Sequence, residues 1–175
     1  MMIEKNIDYT KQYRFTGTHA VMVKDLIANN IFEHGYDVFL TAPLVGFAFN
    51  KKSRKNNLGD DQSSIFAEQM IRIEEERLFC YRLIMLLDEI HETDENKRLD
   101  KAFKEYNTPS LADVDLFEQY IYGGIEYLYD QIIKSADNRD EYVLRLYDFL
   151  EDFENKYKNS TEEVFKKRML DLAKD

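Results

Sequence analysis

Apolar positions recur three and four residues apart along most of the chain, and polar breaks divide them into about seven segments. Val21, Val23, Leu26, Ile27 and Ile31 follow Thr18, which predicts a helix with Thr18 as N-cap, ending near Asn29-Asn30 or at Gly35. Asp37 is placed to cap the next segment. There Val38, Phe39, Leu40, Ala42, Leu44, Val45, Phe47 and Phe49 are apolar nearly all round, the pattern of a helix at the centre of a core. Pro43 lies about one turn inside, so the helix starts at Ala42 or kinks there, and Gly46 leaves room for a close neighbour. Ser63 or Ser64 is read as the start of a helix through Ile73, followed by a strongly apolar helix over 78–90 that shares the centre. Asp94 caps a short helix holding Leu99, Ala102, Phe103 and Tyr106. The period returns over 111–133, interrupted by Gly123-Gly124. Two adjacent glycines cost a helix roughly 1–2 kcal/mol relative to alanine, so a close helix contact or a bend is expected there. A helix over 140–157 follows, and Ser160 with Glu163 forms a capping box that opens a last one.

Two stretches lack this period. Residues 1–17 end in Gly17 and alternate Tyr13 and Phe15, which predicts an extended arm or short strand. Residues 50–63 are polar and read as a mobile surface loop. The organisation expected is an N-terminal arm over 1–17 and a single all-α domain over 18–175, a bundle of about seven helices. Six glycines and two prolines are too few for the turns of an all-β domain, which supports that class. One cysteine, Cys80, excludes an internal disulfide and a cysteine-based zinc site, and its apolar neighbours predict a buried thiol. No apolar run approaches the ~20 residues of a membrane span, and the first residues lack the pattern of a signal peptide, so a cytoplasmic protein without membrane contact is expected.

Charge changes the picture by its position. Residues 1–87 carry eleven Lys+Arg against eleven Asp+Glu, and residues 88–175 carry thirteen against twenty-three, so the net charge of −10 belongs to the second half. That half repels phosphate backbones. Lys51, Lys52, Arg54 and Lys55 put four cations within five residues of the neutral half, and such a segment can grip phosphates. They are the candidate nucleic-acid contact. On the 140–157 helix, Val143, Leu150 and Tyr157 share one heptad position and Leu146 and Phe153 another, a short seam for the body or for a partner helix, including one from a second copy.

The chemistry of common enzymes is missing from the pattern: there is no GxGxxG, P-loop, HExxH or GxSxG. His19, His34 and His91 share no ligand spacing and are assigned surface or capping roles. No catalytic residue, metal ligand or cofactor is predicted.

The run Asp37-Val38-Phe39-Leu40, Gly46-Phe47, Asn50-Lys51-Lys52, then an aromatic-rich helix and Glu118-Gln119-Tyr120 with Gly123-Gly124-Ile125-Glu126-Tyr127-Leu128, resembles the small helical proteins encoded beside bacterial DNA-phosphorothioation (Dnd) systems. The resemblance spans roughly residues 36–133. It implies prokaryotic anti-phage defence or DNA modification, in an accessory or DNA-contacting role and not as the catalyst, and it transfers no catalytic residue. The expectation is therefore a non-catalytic helical protein that binds a larger protein partner, with DNA near the basic segment. Its rivals are an acidic inhibitor or DNA mimic that fills a basic cleft, and an enzyme of an uncommon all-α type.

Overall fold

The computed structural model describes the backbone of residues 11–172 and the side chains of residues 11–158. The fold is helical with one small sheet. Strand β1 (Tyr13–Thr16) leads into α1 (Gly17–Ala28) and α2 (Gly35–Ala48). Strand β2 (Gln62–Ile65) follows, then α3 (Ala67–Arg72), α4 (Glu74–Leu87), α5 (Glu95–Phe103), α6 (Leu111–Tyr129) and α7 (Tyr142–Leu172). A π-helical turn over Asp130–Lys134 and a 3-10 turn over Arg139–Glu141 separate the last two. The chain forms two compact units, one up to Asp130 and one from Gln131 on.

In the first unit the arm predicted over 1–17 ends as β1, paired antiparallel with β2, Tyr13 opposite Ile65 and Phe15 opposite Ser63. Phe15 and Ile65 are buried, so the ribbon belongs to the core. The helix expected from Ser63 or Ser64 accordingly starts later, at Ala67. Both serines are spent on pairing with a strand fifty residues away, which local periodicity does not reveal. Thr18 does not cap α1. Gly17 opens it at φ +60°, and the Thr18 backbone N–H donates to Asn56 Oδ1 while Asn56 Nδ2 donates to Thr18 Oγ1. The cap is supplied from the polar segment.

The central pair is α2 and α6. Val38, Phe39, Ala42 and Val45 of α2 are buried, as are Phe117, Tyr120, Ile121 and Ile125 of α6. Pro43 does not set the helix start; α2 begins at Gly35, where Asp37 accepts the His34 backbone N–H. Helix α6 runs unbroken through Gly123 and Gly124, so close contact and not a bend explains them. A Cβ on Gly124 would stand 1.8 Å from the Ala42 carbonyl oxygen of α2, and one on Gly46 would stand 2.3 Å from that of Tyr120. Helix α4 buries one face, Cys80, Tyr81, Ile84 and Met85, and leaves Phe79 and Leu87 exposed. Burial pushes the Cys80 thiol up to about 11.

The second unit holds α7. The break expected at Ser160 is absent and the helix is continuous to Leu172. The residues after 158 lie outside the described side chains.

Candidate nucleic-acid interface

The four cations of the 51–55 segment sit on α6 and not on a free loop. The Lys51 N–H donates to the Gly46 carbonyl (2.7 Å) and the Ser53 N–H to the Gln119 carbonyl (3.0 Å). The Ser53 hydroxyl donates to Glu126 Oε1 at 2.6 Å. The Lys51–Lys52 backbone lies directly on Gly123, where a Cβ would stand 2.2 Å from the Lys51 carbonyl oxygen. Beyond it, Thr16 Oγ1 donates to the Asn56 carbonyl and to Asn57 Oδ1. The mobility predicted for 50–63 is thus replaced, over 51–57, by an exposed but anchored segment. Polar composition marked its exposure, and only the partners it meets explain its anchoring.

The segment rests on buried polar groups. Asp88, 4% exposed at the end of α4, accepts hydrogen bonds from the Tyr120 hydroxyl (2.7 Å) and from the backbone N–H groups of Ile90 and His91. Lys52 Nζ lies 3.5 Å from it. Burial alone would raise this carboxyl. The Tyr120 and His91 hydrogen bonds, the Lys52 charge and the Ile90 N–H outweigh it and hold Asp88 below the usual carboxylate range. Asp113 is 1% exposed at the start of α6 and is met at 2.6 Å by each of His91 Nε2, Lys101 Nζ and the Ser110 hydroxyl. Burial again opposes ionisation, and these three partners again prevail. Arg98 donates to the Leu86, Glu92 and Thr93 carbonyls and closes the turn between α4 and α5. A third group joins α1: His19 Nε2 donates to Glu126 Oε1 at 2.8 Å, on the oxygen that also accepts Ser53. His19 is fully buried, its ring 4.7 Å from that of Tyr122, and its Nδ1 has no hydrogen-bond partner.

The predicted cations therefore divide. Lys52 lies over the Tyr120 ring (4.7 Å) and beside Asp88, and Lys51 lies over Tyr127 (5.4 Å). Arg54 and Lys55 are exposed and form no ion pair among the described residues. They border an open depression of about 340 Å³ whose opposite wall is α6, with Asp115, Glu118 and Gln119. Of the predicted seam, Val143, Leu150 and Tyr157 are exposed, while Leu146 and Phe153 are half-buried. The outward face also takes in Tyr147, and Phe149 is buried, two positions the heptad reading passed over. His19, read as surface or capping, is instead buried, and His91 is half-buried, its backbone N–H on Asp88 at the end of α4 and its ring on Asp113. The sequence signal for His91 was its spacing after Asp88, which marks a turn: the His91 N–H bonds Asp88, and the ring turns to Asp113. Nothing local links His19 to Glu126, 107 residues on.

Among the described residues no group of three or more His, Cys, Asp or Glu is placed to hold a metal ion, and no helix is long and apolar enough to cross a membrane.

The family model for DNA sulphur modification system-associated protein 4 matches residues 12–168. The chain belongs to this family. The resemblance over 36–133 is thereby extended to β1, α1 and most of α7, and the Dnd association it implied is the one the family's description states. No curated protein and no solved structure matches the chain. In this member of the DNA sulphur modification system-associated protein 4 family, the matched span includes the anchored 51–57 segment, the Asp88 and Asp113 clusters and the outward face of α7.

Proposed function

We propose that this protein is a non-catalytic accessory subunit of a DNA sulphur modification system, serving anti-phage defence or DNA modification in the cytoplasm. In this reading it binds a larger protein through the outward face of α7 and contacts DNA through residues 51–55. The observation that carries the DNA contact is the anchored backbone of the segment. Ordered backbone fixes where Arg54 and Lys55 stand, so less conformational entropy is lost when they meet phosphate. The surroundings limit the contact. Residues 88–130 carry four Lys+Arg against twelve Asp+Glu, a net −8, so binding is confined to the patch.

The test is fluorescence anisotropy with labelled duplex and single-stranded oligonucleotides over a range of salt. Arg54→Ala with Lys55→Ala should remove most of the affinity. Lys52→Ala should change it less, because Lys52 is already engaged by Asp88. Equal binding by wild type and the Arg54/Lys55 variant removes the segment from the account. The same −8 favours a second reading, an acidic protein that occupies a basic cleft on its target. Absence of any nucleic-acid binding at low salt, together with salt-sensitive capture of a basic partner protein, supports that one.

A further inference from the structure

Helix α7 leaves an apolar stripe in water. Val143, Tyr147, Leu150 and Tyr157 are exposed, and their spacing of four, three and seven residues is that of the seam in a two-stranded coiled coil. Phe149 is buried and Leu146 and Phe153 are half-buried on the adjoining face, so the helix is apolar over more of its girth than the chain covers. Glu154 takes the remaining seam position and pairs with Lys158 one turn on, at 2.5 Å. The helix has 31 residues and is about 46 Å long, so such a stripe gains by meeting a second long helix.

Charge indicates which helix that is. Residues 142–155 carry one Lys+Arg against four Asp+Glu, and residues 156–172 carry five against three. Helix α7 is therefore acidic in its first half and basic in its second, and the intrahelical Glu154–Lys158 pair at the junction leaves the two halves opposite in sign. Asp148, Glu151, Asp152 and Glu154 are exposed. Laid side by side in one direction, two such helices set acid on acid and base on base. Related by a twofold axis across the helix, each acidic half meets the other's basic half, and the two helix dipoles oppose. A twofold contact needs a surface complementary to itself, and α7 has one because both signs lie on the same helix.

Resting on the reading of the outward face of α7 as a docking surface, we infer that a second copy of this chain covers it in the isolated protein. The two α7 helices pair antiparallel along Val143, Tyr147, Leu150 and Tyr157, the acidic half of each against the basic half of the other. A larger protein that uses the same face then binds in competition with self-pairing.

The experiment is sedimentation equilibrium of the full chain at rising concentration, with circular dichroism confirming that each variant is folded. Wild type should rise from 20.9 kDa toward twice that mass. High salt should weaken the dimer about fivefold, because the attraction is between surface charges. Asp148→Lys with Glu151→Lys and Asp152→Lys should weaken self-pairing at least about tenfold, and so should Lys166→Glu with Lys167→Glu and Arg168→Glu. An equimolar mixture of these two variants should restore the dimer. Val143→Asp with Leu150→Asp should give a folded monomer. A dimer that salt strengthens, or that both charge variants leave intact, overturns the inference. A wild type that is monomeric throughout, with the Val143/Leu150 variant equally well folded, overturns self-pairing and leaves the face open to a larger protein. Unfolding of the Val143/Leu150 variant overturns both, since the face is then core.

Discussion

Asp113 shows how much one side chain can settle. It is a carboxylate with 1% exposure, and it is ionised because His91, Lys101 and Ser110 converge on it from the α4–α5 turn, α5 and the start of α6. Asparagine keeps the shape and loses the charge, leaving the Lys101 ammonium beside a neutral amide. Asp113→Asn should cost about 2–4 kcal/mol in urea unfolding, the range for breaking a buried charged hydrogen-bonded pair. The pH dependence follows from the direction of the shift. Asp113 and Asp88 are held below their unfolded value of about 3.9, so their contribution is present above that pH and disappears as pH falls through the folded values. Wild type should therefore lose urea resistance steadily from about pH 5 downward, and Asp113→Asn should lose less over the same interval. A variant whose acid sensitivity equals that of wild type would show that Asp113 does not supply it.

At the scale of elements, the α2–α6 pair is decided by backbone proximity. Alanine in place of glycine ordinarily favours a helix by about 1 kcal/mol. At Gly124 the added Cβ would stand 1.8 Å from a main-chain oxygen of α2, which has no rotamer to yield, so the steric term wins. Gly124→Ala should lose at least about 3 kcal/mol in thermal or urea unfolding; a neutral or stabilised variant would mean that the helices do not meet there. Helix α7 is governed by which side of it is covered. Val143 and Leu150 are 73% and 54% exposed, so Val143→Asp with Leu150→Asp should change stability by less than about 0.5 kcal/mol per site. The same pair should abolish capture of a partner protein, or any dimer seen by light scattering. Phe149→Ala, by contrast, should destabilise the unit, because that ring is buried. If the aspartates unfold the protein, the outward face is core and not interface.

For the whole molecule, charge distribution matters more than net charge. The excess of acid in the second half lies mainly in residues 88–130, at −8, while residues 131–175 carry nine Lys+Arg against eleven Asp+Glu, a net −2. Two of those carboxylates are internal, Asp88 and Asp113 in the polar clusters, and a third, the half-buried Glu126, is engaged by His19 and Ser53. With Lys52 engaged by Asp88, the 51–55 segment offers two or three cations to phosphate and not four. The slope of log affinity against log salt for duplex DNA should then be about −2 to −3. A slope of −5 or steeper would require basic residues beyond this segment.

The all-α class, the position of most helices and the exposure of the basic segment were legible from the sequence, because helical periodicity, scarce glycine and clustered polarity are local properties. The Asp94 cap was legible too, since its partners, the Asn96 and Lys97 N–H groups, lie two and three residues away. Tertiary structure decided the rest, and in each instance the deciding partner is remote in the chain. Ser63 and Ser64 form a strand because β1 lies beside them. Asn56 caps a helix that begins thirty-nine residues before it. Gly123 and Gly124 are read as a bend or a contact until α2 and the Lys51 backbone are seen against them. His19 becomes internal and the His91 ring is drawn half out of solvent once Glu126 and Asp113 supply carboxylates. Sequence spacing reports which residues share a face of one element; only packing reports what that face meets, and here that choice anchors the basic segment and sets which of its cations remain free.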